Sequence, residues 1–361
     1  MALSDLRFTT RRQALAMAAE AVAVSVGVSI LVGVGDTAAA AQRHPREVVK
    51  IAIEPLLRLE ITWPNEKRFE FVGADGPRSF HGAAVGKVTG TRVNGTVLEH
   101  RASDCGRVSQ DGRIHTTDAR IGIQTSDGHF ILISLYGRAS PRYKGDSRLS
   151  VVFDTDADGP YGWLNNAAAL GVGKSKAGTQ TVDVFSLDPT LLPAETLPGS
   201  ALSLDAELLF TRRSSYESGG VAVAPIIRSS YGWRHLSYAA GGGTILGPQL
   251  NGTLVAGYAW NANLTTIENG NPIYRICYDN MLIDKNGVPI LMMTRGTSGD
   301  KAERDGRKPQ GSRVMIFFDT PASGPYAFLN EVLAIAVGRP VPDSANPNVV
   351  AGFKYETYAL I

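Results

Sequence analysis

One motif occurs twice in the chain and divides it into two similar halves. Residues 153–165 read FDTDADGPYGWLN, and residues 318–330 read FDTPASGPYAFLN. A Val-Gly pair follows each copy, beginning at Val172 and at Val337. Repetition of a long motif along a chain is typical of a duplicated structural unit. The sequence therefore predicts two domains that share one fold.

Further matches extend the duplication over most of the chain. Residues 86–97 read GKVTGTRVNGTV and match residues 243–254, which read GTILGPQLNGTL. Residues 127–133 and residues 286–292 both contain a turn followed by an apolar run. The two halves therefore have the same order of local patterns.

Domain boundaries follow from these matches. A Pro-Gly pair at 198–199 marks the boundary between the halves, because both residues interrupt regular structure. We place the first domain at 48–197 and the second at 201–361.

The first 41 residues have the pattern of an export signal. Residues 10–15 read TRRQAL, a mostly apolar run follows over 14–34, and four alanines stand at 38–41. This order predicts a signal peptide of the twin-arginine type, residues 1–41. A membrane anchor is the alternative, since the run is long enough to span a bilayer, but Glu20 and the alanines favour cleavage. We expect a periplasmic or extracellular protein without stable membrane association after cleavage.

Charge excludes one class of partner. The chain carries a formal net charge of +2, which is too small for a nucleic-acid-binding surface. Its two cysteines, Cys105 and Cys277, lie one in each half. They either pair as a disulfide in an oxidising compartment or remain buried free thiols. The sequence does not indicate an oligomeric state.

The local texture is that of β-structure. Residues 121–125 alternate apolar and polar side chains, residues 126–128 read SDG, and a second apolar run follows over 130–136. This pattern predicts a β-hairpin. Short strands at regular spacing, separated by Gly and Asn, are typical of barrels and sandwiches, so the chain is expected to be all-β.

The remaining segments are predicted to be loops or short helices. Residues 138–148 and 296–312 occupy corresponding places in the two halves and are predicted to be long irregular loops. Short helices are expected after the Gly-Pro turns, at 163–168 and 328–333.

Several of these motifs together resemble a known family. They are a Glu-Pro-Leu opening at Glu54, G-x3-G-x3-N-G at 86–95, an Asp-Gly turn at 127–128, and Y-x-W-L-N at 161–165. This set resembles the family named DUF3237, also known as UPF0311. The resemblance implies a closed antiparallel β-barrel, once in each half, and therefore two tandem barrels with short helices. The family brings no settled reaction with it.

The two halves depart from the family pattern at different positions. The family's Asp-Ala-Arg-Tyr-like segment is matched by residues 118–121 of the first half, whereas residues 274–278 of the second half lack the acid. The second half also has Phe328 in place of Trp163. If that acid does chemistry, the second domain has lost it.

Common catalytic motifs are missing from the sequence. Residues 171–175 read GVGKS but lack the first glycine of a phosphate-binding loop, since Ala168 stands there. No G-x-S-x-G motif occurs. The six histidines are widely spaced, without H-x-H or H-E-x-x-H. We therefore expect neither a cofactor nor a metal ion.

Asp118 and Arg120 are the first candidates for chemistry. They lie two residues apart on a predicted strand and so share one face. If that face is the barrel lumen, a buried acid beside a cation is a candidate for acid/base catalysis. If it faces outward, the two form a surface ion pair. Ile121 and Ile123 lie on the opposite face, and the apolar face is usually the one that packs inside a small barrel.

The repeated motif has both a functional and a structural interpretation. In the first, the Tyr161 hydroxyl and the Asn165 amide hold a substrate oxygen, as catalytic candidates. Trp163, Tyr326 and Asn330 are then candidates for substrate binding. In the second, these residues cap a turn and plug one end of each barrel. Retention in both copies favours the structural interpretation.

The second half has an aromatic-rich set near its predicted hairpin. These candidates for binding a planar molecule are Trp260, Tyr274, Arg275 and Tyr278. Packing in a hydrophobic core is the alternative explanation for the aromatic side chains.

Two functions from different classes remain open. The first is an enzyme that acts on a small apolar or aromatic molecule by acid/base chemistry without a cofactor, such as an isomerase, cyclase or lyase. The second is a non-catalytic carrier that binds a small molecule in the same cavity. An enclosed pocket containing a carboxylate favours the enzyme.

Overall fold

The computed structural model describes residues 48–361 with short gaps. The gaps are 65–67, 74–75, 177, 188–201, 216–220, 224–226, 230–231, 240–241, 269–270, 298–311, 343 and 346–349. The predicted signal peptide, residues 1–41, lies outside the described residues. Within the described ranges, no helix has both the length and the apolar character needed to cross a membrane.

The first half is a closed antiparallel β-barrel of eight strands. Pairing runs from β1 through β4, β5, β6, β7, β8, β9 and β10 and returns to β1, while β2 and β3 form a hairpin that extends from β5. The strands are β1 Val48–Thr62, β2 Arg68–Gly73, β3 Gly76–His81, β4 Val85–Thr89, β5 Gly95–Arg107, β6 His115–Thr125, β7 Phe130–Ala139, β8 Ser147–Thr155, β9 Ala169–Lys176 and β10 Thr179–Leu187.

The second half closes in the same way. Its cycle runs β11, β15, β16, β17, β18, β19, β20, β21 and back to β11, and β12 to β14 extend from β16. The strands are β11 Ser203–Ser215, β12 Val221–Val223, β13 Ile227–Ser229, β14 Gly232–Ala239, β15 Gly243–Leu246, β16 Gly252–Glu268, β17 Asn271–Asp284, β18 Pro289–Thr297, β19 Ser312–Asp319, β20 Leu333–Pro342 and β21 Val350–Leu360. The all-β fold of two tandem barrels is thus confirmed.

Alternating apolar residues fill the lumen of the first barrel. Ile121 and Ile123 of β6 are fully buried there, as the alternation of their strand predicts. The neighbouring strands supply the rest of this core, which includes Leu59, Ile61, Val88, Val97, Ala102, Ala119, Ile131, Ile133, Leu135, Leu149, Val151, Phe153, Val182 and Val184.

Close approach of strands explains why the repeat retains its glycines. A Cβ atom at Gly86 would lie 2.0 Å from the carbonyl oxygen of Glu60, on β1. At the corresponding position of the second barrel, a Cβ atom at Gly243 would lie 2.2 Å from the carbonyl oxygen of Arg213. No side chain fits at either position, so both barrels need glycine there.

The repeated motif forms a short 3-10 helix at one end of each barrel. These helices are Gly162–Asn166 and Ala327–Glu331, and a third lies at Pro141–Tyr143. The Asn165 amide binds both backbone groups of Thr155, accepting from N at 2.9 Å and donating to O at 3.1 Å. Asn330 makes the same pair of bonds with Thr320, at 2.8 and 3.1 Å. The amides therefore fix the turn.

The two barrels pack against each other through outward-facing residues. Residues 48–52 of β1 pair with residues 203–207 of β11, with Ile51 opposite Leu204. Ile51 and Leu204 are equivalent positions of the two barrels. Each lies at the same distance along its strand before the β-bulge, which falls between Pro55 and Leu57 in β1 and between Leu208 and Phe210 in β11. The shared apolar cluster comprises Ile51, Ile53, Ala168, Leu170, Leu187, Ala206, Met315, Phe317, Leu333, Ile335 and Leu360.

A buried arginine joins the barrels at the end of β7. Arg138, whose side chain is 7 % exposed, donates to the carbonyl oxygens of Phe318 and Asn330, both at 2.6 Å. It also pairs with Asp319 at 2.7 Å. Burial lowers the pKa of this guanidinium, and the attraction of Asp319 opposes that effect.

The first predicted long loop is shorter than expected. β7 continues to Ala139 and β8 begins at Ser147, so the connection is limited to residues 140–146, which include the 3-10 helix. The segment is held by the second barrel, since the backbone N–H of Leu333 donates to the Tyr143 hydroxyl at 3.0 Å. Most of the second predicted loop, 296–312, lies outside the described residues.

Candidate functional site

The two ends of the first barrel differ. One end is covered by the 3-10 helix Gly162–Asn166, where Leu164 is buried and Trp163 packs against the core. The guanidinium of Arg92 lies 3.6 Å from the centre of the Trp163 ring. The opposite end holds a pocket with a volume of about 780 Å³, which is within the range of small-molecule sites.

The pocket continues the lumen of the barrel, but with polar side chains. Side chains two positions apart on a strand share one face. On this face, Asp104 follows the core residue Ala102, Trp63 follows Ile61, and Gln180 is two positions from Val182. The indole N–H of Trp63 donates to the Gln180 side chain at 3.4 Å. Small side chains leave the space open on the other strands; they are Ser79, Gly106, Thr117, Ala139, Ser147 and Ser175.

His81 and Asp104 lie opposite each other within this pocket. They are direct partners in the pairing of β3 with β5, so their side chains are neighbours on one face. The His81 ring lies 5.4 Å from the Trp63 ring, centre to centre. Its Nε2 is 3.5 Å from the Ser79 hydroxyl, and its buried Nδ1 has no hydrogen-bond partner among the described residues.

Burial shifts the pKa values of Asp104 and His81 so that the uncharged form of each group is favoured. Burial raises the pKa of Asp104 to about 6, and the nearby Asp118 charge adds to this effect. Hydrogen bonds from the backbone N–H groups of Asp118, at 3.0 Å, and Cys105 oppose it. Burial and the Arg68 charge lower the pKa of His81, so its ring is neutral at pH 7. A carboxyl with a pKa of about 6 beside a neutral imidazole is suited to acid/base chemistry.

The rim of the pocket is mostly basic. Among the described residues, Arg68, Arg107 and Lys176 line it together with one acid besides Asp104, which is Glu70. Arg68 and Glu70 form an ion pair. The mouth therefore favours an anionic or polar group on an incoming molecule. Within the described part of the chain, no cluster of three or more His, Cys, Asp or Glu side chains is placed to hold a metal ion.

Asp118 and Arg120 lie on the outer face of β6. Their ion pair measures 2.8 Å, and the side chains are 54 % and 40 % exposed. Arg120 also contacts the Tyr136 hydroxyl and lies over its ring. Asp118 and Arg120 therefore form the surface ion pair that was the second of the two sequence interpretations. Their neighbours Ala119 and Ile121 point into the lumen instead.

The candidates in the repeated motif lie at the opposite end of the barrel from the pocket. Tyr161 donates to the turn carboxylate of Asp127 at 3.0 Å, and Tyr326 donates to Asp284 at the same distance. The Asn165 and Asn330 amides hold the turns described above. The structure therefore does not bring Tyr161, Asn165 and Trp163 together with Asp118, and these polar groups have structural partners.

The aromatic-rich candidates lie on neighbouring strands of the second barrel. Trp260 is on β16, and Tyr274, Arg275 and Tyr278 are on β17. Their side chains lie outside the described part of the structure. Both cysteines are free, with Cys105 partly buried and Cys277 exposed.

The second barrel has different residues at the positions of Asp104 and His81. The register after the bulge of β16 makes Asn261 the equivalent of Asp104. Its partner on β14 is Ser237, which occupies the position of His81. The pair that gives the first pocket its titratable groups is thus replaced by two residues that do not titrate.

Sequence reasoning overlooked His81 and Asp104. Strict alternation from Val97 places Asp104 on the outer face, but a bulge between Val97 and Ala102 reverses the faces of β5. His81 lies on a hairpin whose partner strand cannot be identified from local sequence. The sequence feature that could have identified them is a difference between the halves: His81 and Asp104 in the first correspond to Ser237 and Asn261 in the second.

Comparisons with solved structures found several similar chains. The chain is similar to a β-barrel-like protein from Acinetobacter baumannii, with 21 % identity over 41 % of this chain and 100 % of that one, and a TM-score of 0.34. A protein of unknown function from Clostridium acetobutylicum has 23 % identity, with 39 % and 100 % covered and a TM-score of 0.34.

A third solved structure is described as an enzyme from Penicillium herquei. It has 23 % identity over 40 % of this chain and 96 % of its own, with a TM-score of 0.28. No curated protein matches the chain. Residues 51–187, which span the first barrel, match the family described as protein of unknown function, DUF3237.

Proposed function

We propose that the first barrel takes a small organic molecule into the His81–Asp104 pocket and catalyses a proton transfer on it without a cofactor. The observation that carries this proposal is the position of an acid and an imidazole opposite each other on the polar wall of a pocket of about 780 Å³. The lumen is otherwise filled with apolar side chains. Burying ionisable groups costs free energy, and ionisable groups with shifted pKa values cluster at functional sites.

The residues divide the chemistry between them. At pH 7 Asp104 is mainly ionised, since burial raises its pKa only to about 6, and it accepts a proton from the substrate. Neutral His81 carries one ring N–H, which hydrogen-bonds the oxygen on which negative charge develops. Trp63 beside His81 offers an aromatic face to an apolar or aromatic substrate. Isomerisation, cyclisation, dehydration and lyase cleavage all fit this arrangement.

The first test compares turnover and binding in one panel. The full chain is incubated with aromatic and polyketide-like compounds that contain an acidic C–H or O–H, and products are followed by liquid chromatography with mass spectrometry. We expect a product with the wild type and a loss of at least a hundredfold in D104N and H81A. D118N is the matched control, because its carboxyl faces outward, and it should retain activity.

Binding is measured on the same compounds by thermal shift. Binding that depends on Trp63 and Gln180, without any product, would support the carrier function instead. Failure of every compound to bind, or full activity in D104N, would remove the pocket as the site.

Two further proposals concern the domain arrangement and the cellular location of the protein. We propose that residues 201–361 are a second, diverged copy of the same family domain, since equivalent glycines and amides recur in it. We propose further that residues 1–41 direct export, from their twin arginines and alanine string. Cell fractionation with and without the R11K/R12K change tests the latter.

A further inference from the structure

The hairpin of β2 and β3 extends from the first barrel and ends in an edge strand. β3 pairs with β5 on one side and with β2 on the other. β2 has no second strand partner among the described residues. The outer edge of such a strand directs the N–H and C=O groups of alternate residues away from its own sheet. This edge of β2 is therefore available to pair with a strand of another chain.

The same strand carries exposed apolar side chains. Phe69, Phe71 and Val72 are 59 %, 51 % and 81 % exposed. The Phe69 ring lies 6.3 Å from that of Phe80 on β3, centre to centre, so the aromatic residues of the hairpin share one face. Among the strands whose side chains the structure describes, no other carries more than one large exposed apolar residue. Exposed apolar residues concentrated in this way are typical of an interaction surface.

Charged residues alternate with the phenylalanines along β2. Arg68 and Glu70 lie on the opposite face from Phe69 and Phe71, at the rim of the pocket. Within one copy they form an ion pair between side chains that are 46 % and 64 % exposed. If two copies of β2 pair antiparallel about a two-fold axis at Phe69, Arg68 of each copy lies directly opposite Glu70 of the other. This register therefore gives two intermolecular pairs of opposite charge and one contact between phenylalanines.

Other two-fold registers of β2 match less well. An axis at Glu70 places two carboxylates directly opposite each other, which is destabilising. An axis at Phe71 places Glu70 opposite Val72, so the carboxylate faces an apolar side chain. That axis also places Phe69 opposite Gly73, which has no side chain to contact. The strand is thus self-complementary in the register centred on Phe69.

We propose that β2 is the contact of a homodimer, in which two copies of this chain join their sheets antiparallel about Phe69. Backbone hydrogen bonds connect the two edges, and the Phe69 rings of the two copies pack together. Arg68 and Glu70 form ion pairs between the copies on the opposite face. The contact adjoins the pocket, because β3 carries His81, but it does not depend on the chemistry proposed there.

Sedimentation velocity of the full chain over a hundredfold range of concentration tests the dimer. We expect a dimer that dissociates on dilution. F69S should weaken it at least tenfold, because it removes the apolar contact on the two-fold axis. F130S is the matched control, since Phe130 is 49 % exposed on β7 of the same barrel, and it should leave the dissociation constant unchanged.

Charge reversal tests the register. R68E places two carboxylates opposite each other on both sides of the axis, and E70R places two guanidinium groups there. Each change should weaken the dimer at least tenfold. The double change R68E/E70R restores opposite charges across the axis, so its dissociation constant should return to within about threefold of the wild-type value. Circular dichroism and thermal melting verify folding of every variant.

Three results would overturn the proposal. The first is a monomer at every concentration, including a monomer whose exposed phenylalanines bind lipid vesicles instead. The second is a dimer that F69S, R68E and E70R leave unchanged, which would place the contact elsewhere on the molecule. The third is failure of R68E/E70R to restore the dimer that R68E weakens. D104N should retain the wild-type dissociation constant, so a loss of its turnover concerns the pocket alone.

Discussion

Replacing Asp104 by Asn should make the protein more stable at neutral pH. Burial raises the pKa of this carboxyl from 3.8 to about 6, so the folded state binds its proton more tightly than the unfolded state. The contribution of Asp104 to the free energy of unfolding is therefore greatest at low pH and falls as the pH rises from about 4 to about 6. Above about pH 6 this contribution stays constant. At pH 7 the folded-state penalty is about 3 kcal/mol.

Asn removes the charge but retains an oxygen that accepts from the backbone N–H of Asp118. We therefore expect D104N to be more stable than the wild type by about 1–3 kcal/mol at pH 7 and about equal in stability at pH 4. Urea denaturation followed by circular dichroism at pH 4, 5, 6 and 7 gives both free energies of unfolding. D118N is the matched control, because that exposed pair contributes at most about 1 kcal/mol.

The reasoning is refuted if D104N is no more stable than the wild type at pH 7. It is also refuted if the difference between the two proteins is the same at pH 4 and pH 7, since the pH window follows from the shifted pKa alone. A gain in stability together with loss of activity would show that the fold tolerates this carboxylate for the sake of function.

Three further changes test the packing of the fold. R138A should lose about 3–5 kcal/mol in urea unfolding, because it leaves two buried carbonyl groups and Asp319 without their donor; K50A, which breaks an exposed ion pair, should change little. N165A should cost about 1–3 kcal/mol by the same measurement, because two backbone groups lose their partner, and N330A should cost a similar amount. G86A should reduce the yield of folded protein in gel filtration, since its Cβ would meet a β1 carbonyl oxygen.

The sequence predicts the fold better than the site, for a physical reason. The repeated amides and glycines are local features of the sequence, and their spacing reveals the duplication; the closed barrel in each half was implied by the family resemblance. The pocket depends instead on pairing between β3 and β5 and on the bulge that turns Asp104 inward. Neither the pairing nor the bulge leaves a periodic pattern. Asp118, by contrast, follows regular alternation and faces outward, as the pattern of Ile121 and Ile123 indicates.

The pairing of β1 with β11 has a consequence for how the two barrels stay together. Ile51 lies opposite its own equivalent, Leu204, and antiparallel pairing of equivalent segments is the geometry of a symmetric dimer contact. Here both partners belong to one chain, so the contact forms at a fixed effective concentration that dilution does not reduce. The intramolecular pair thus has the geometry of a two-fold dimer contact, while the sequence of each partner can differ. One barrel carries His81 and Asp104 where the other carries Ser237 and Asn261, a difference that identical subunits cannot have.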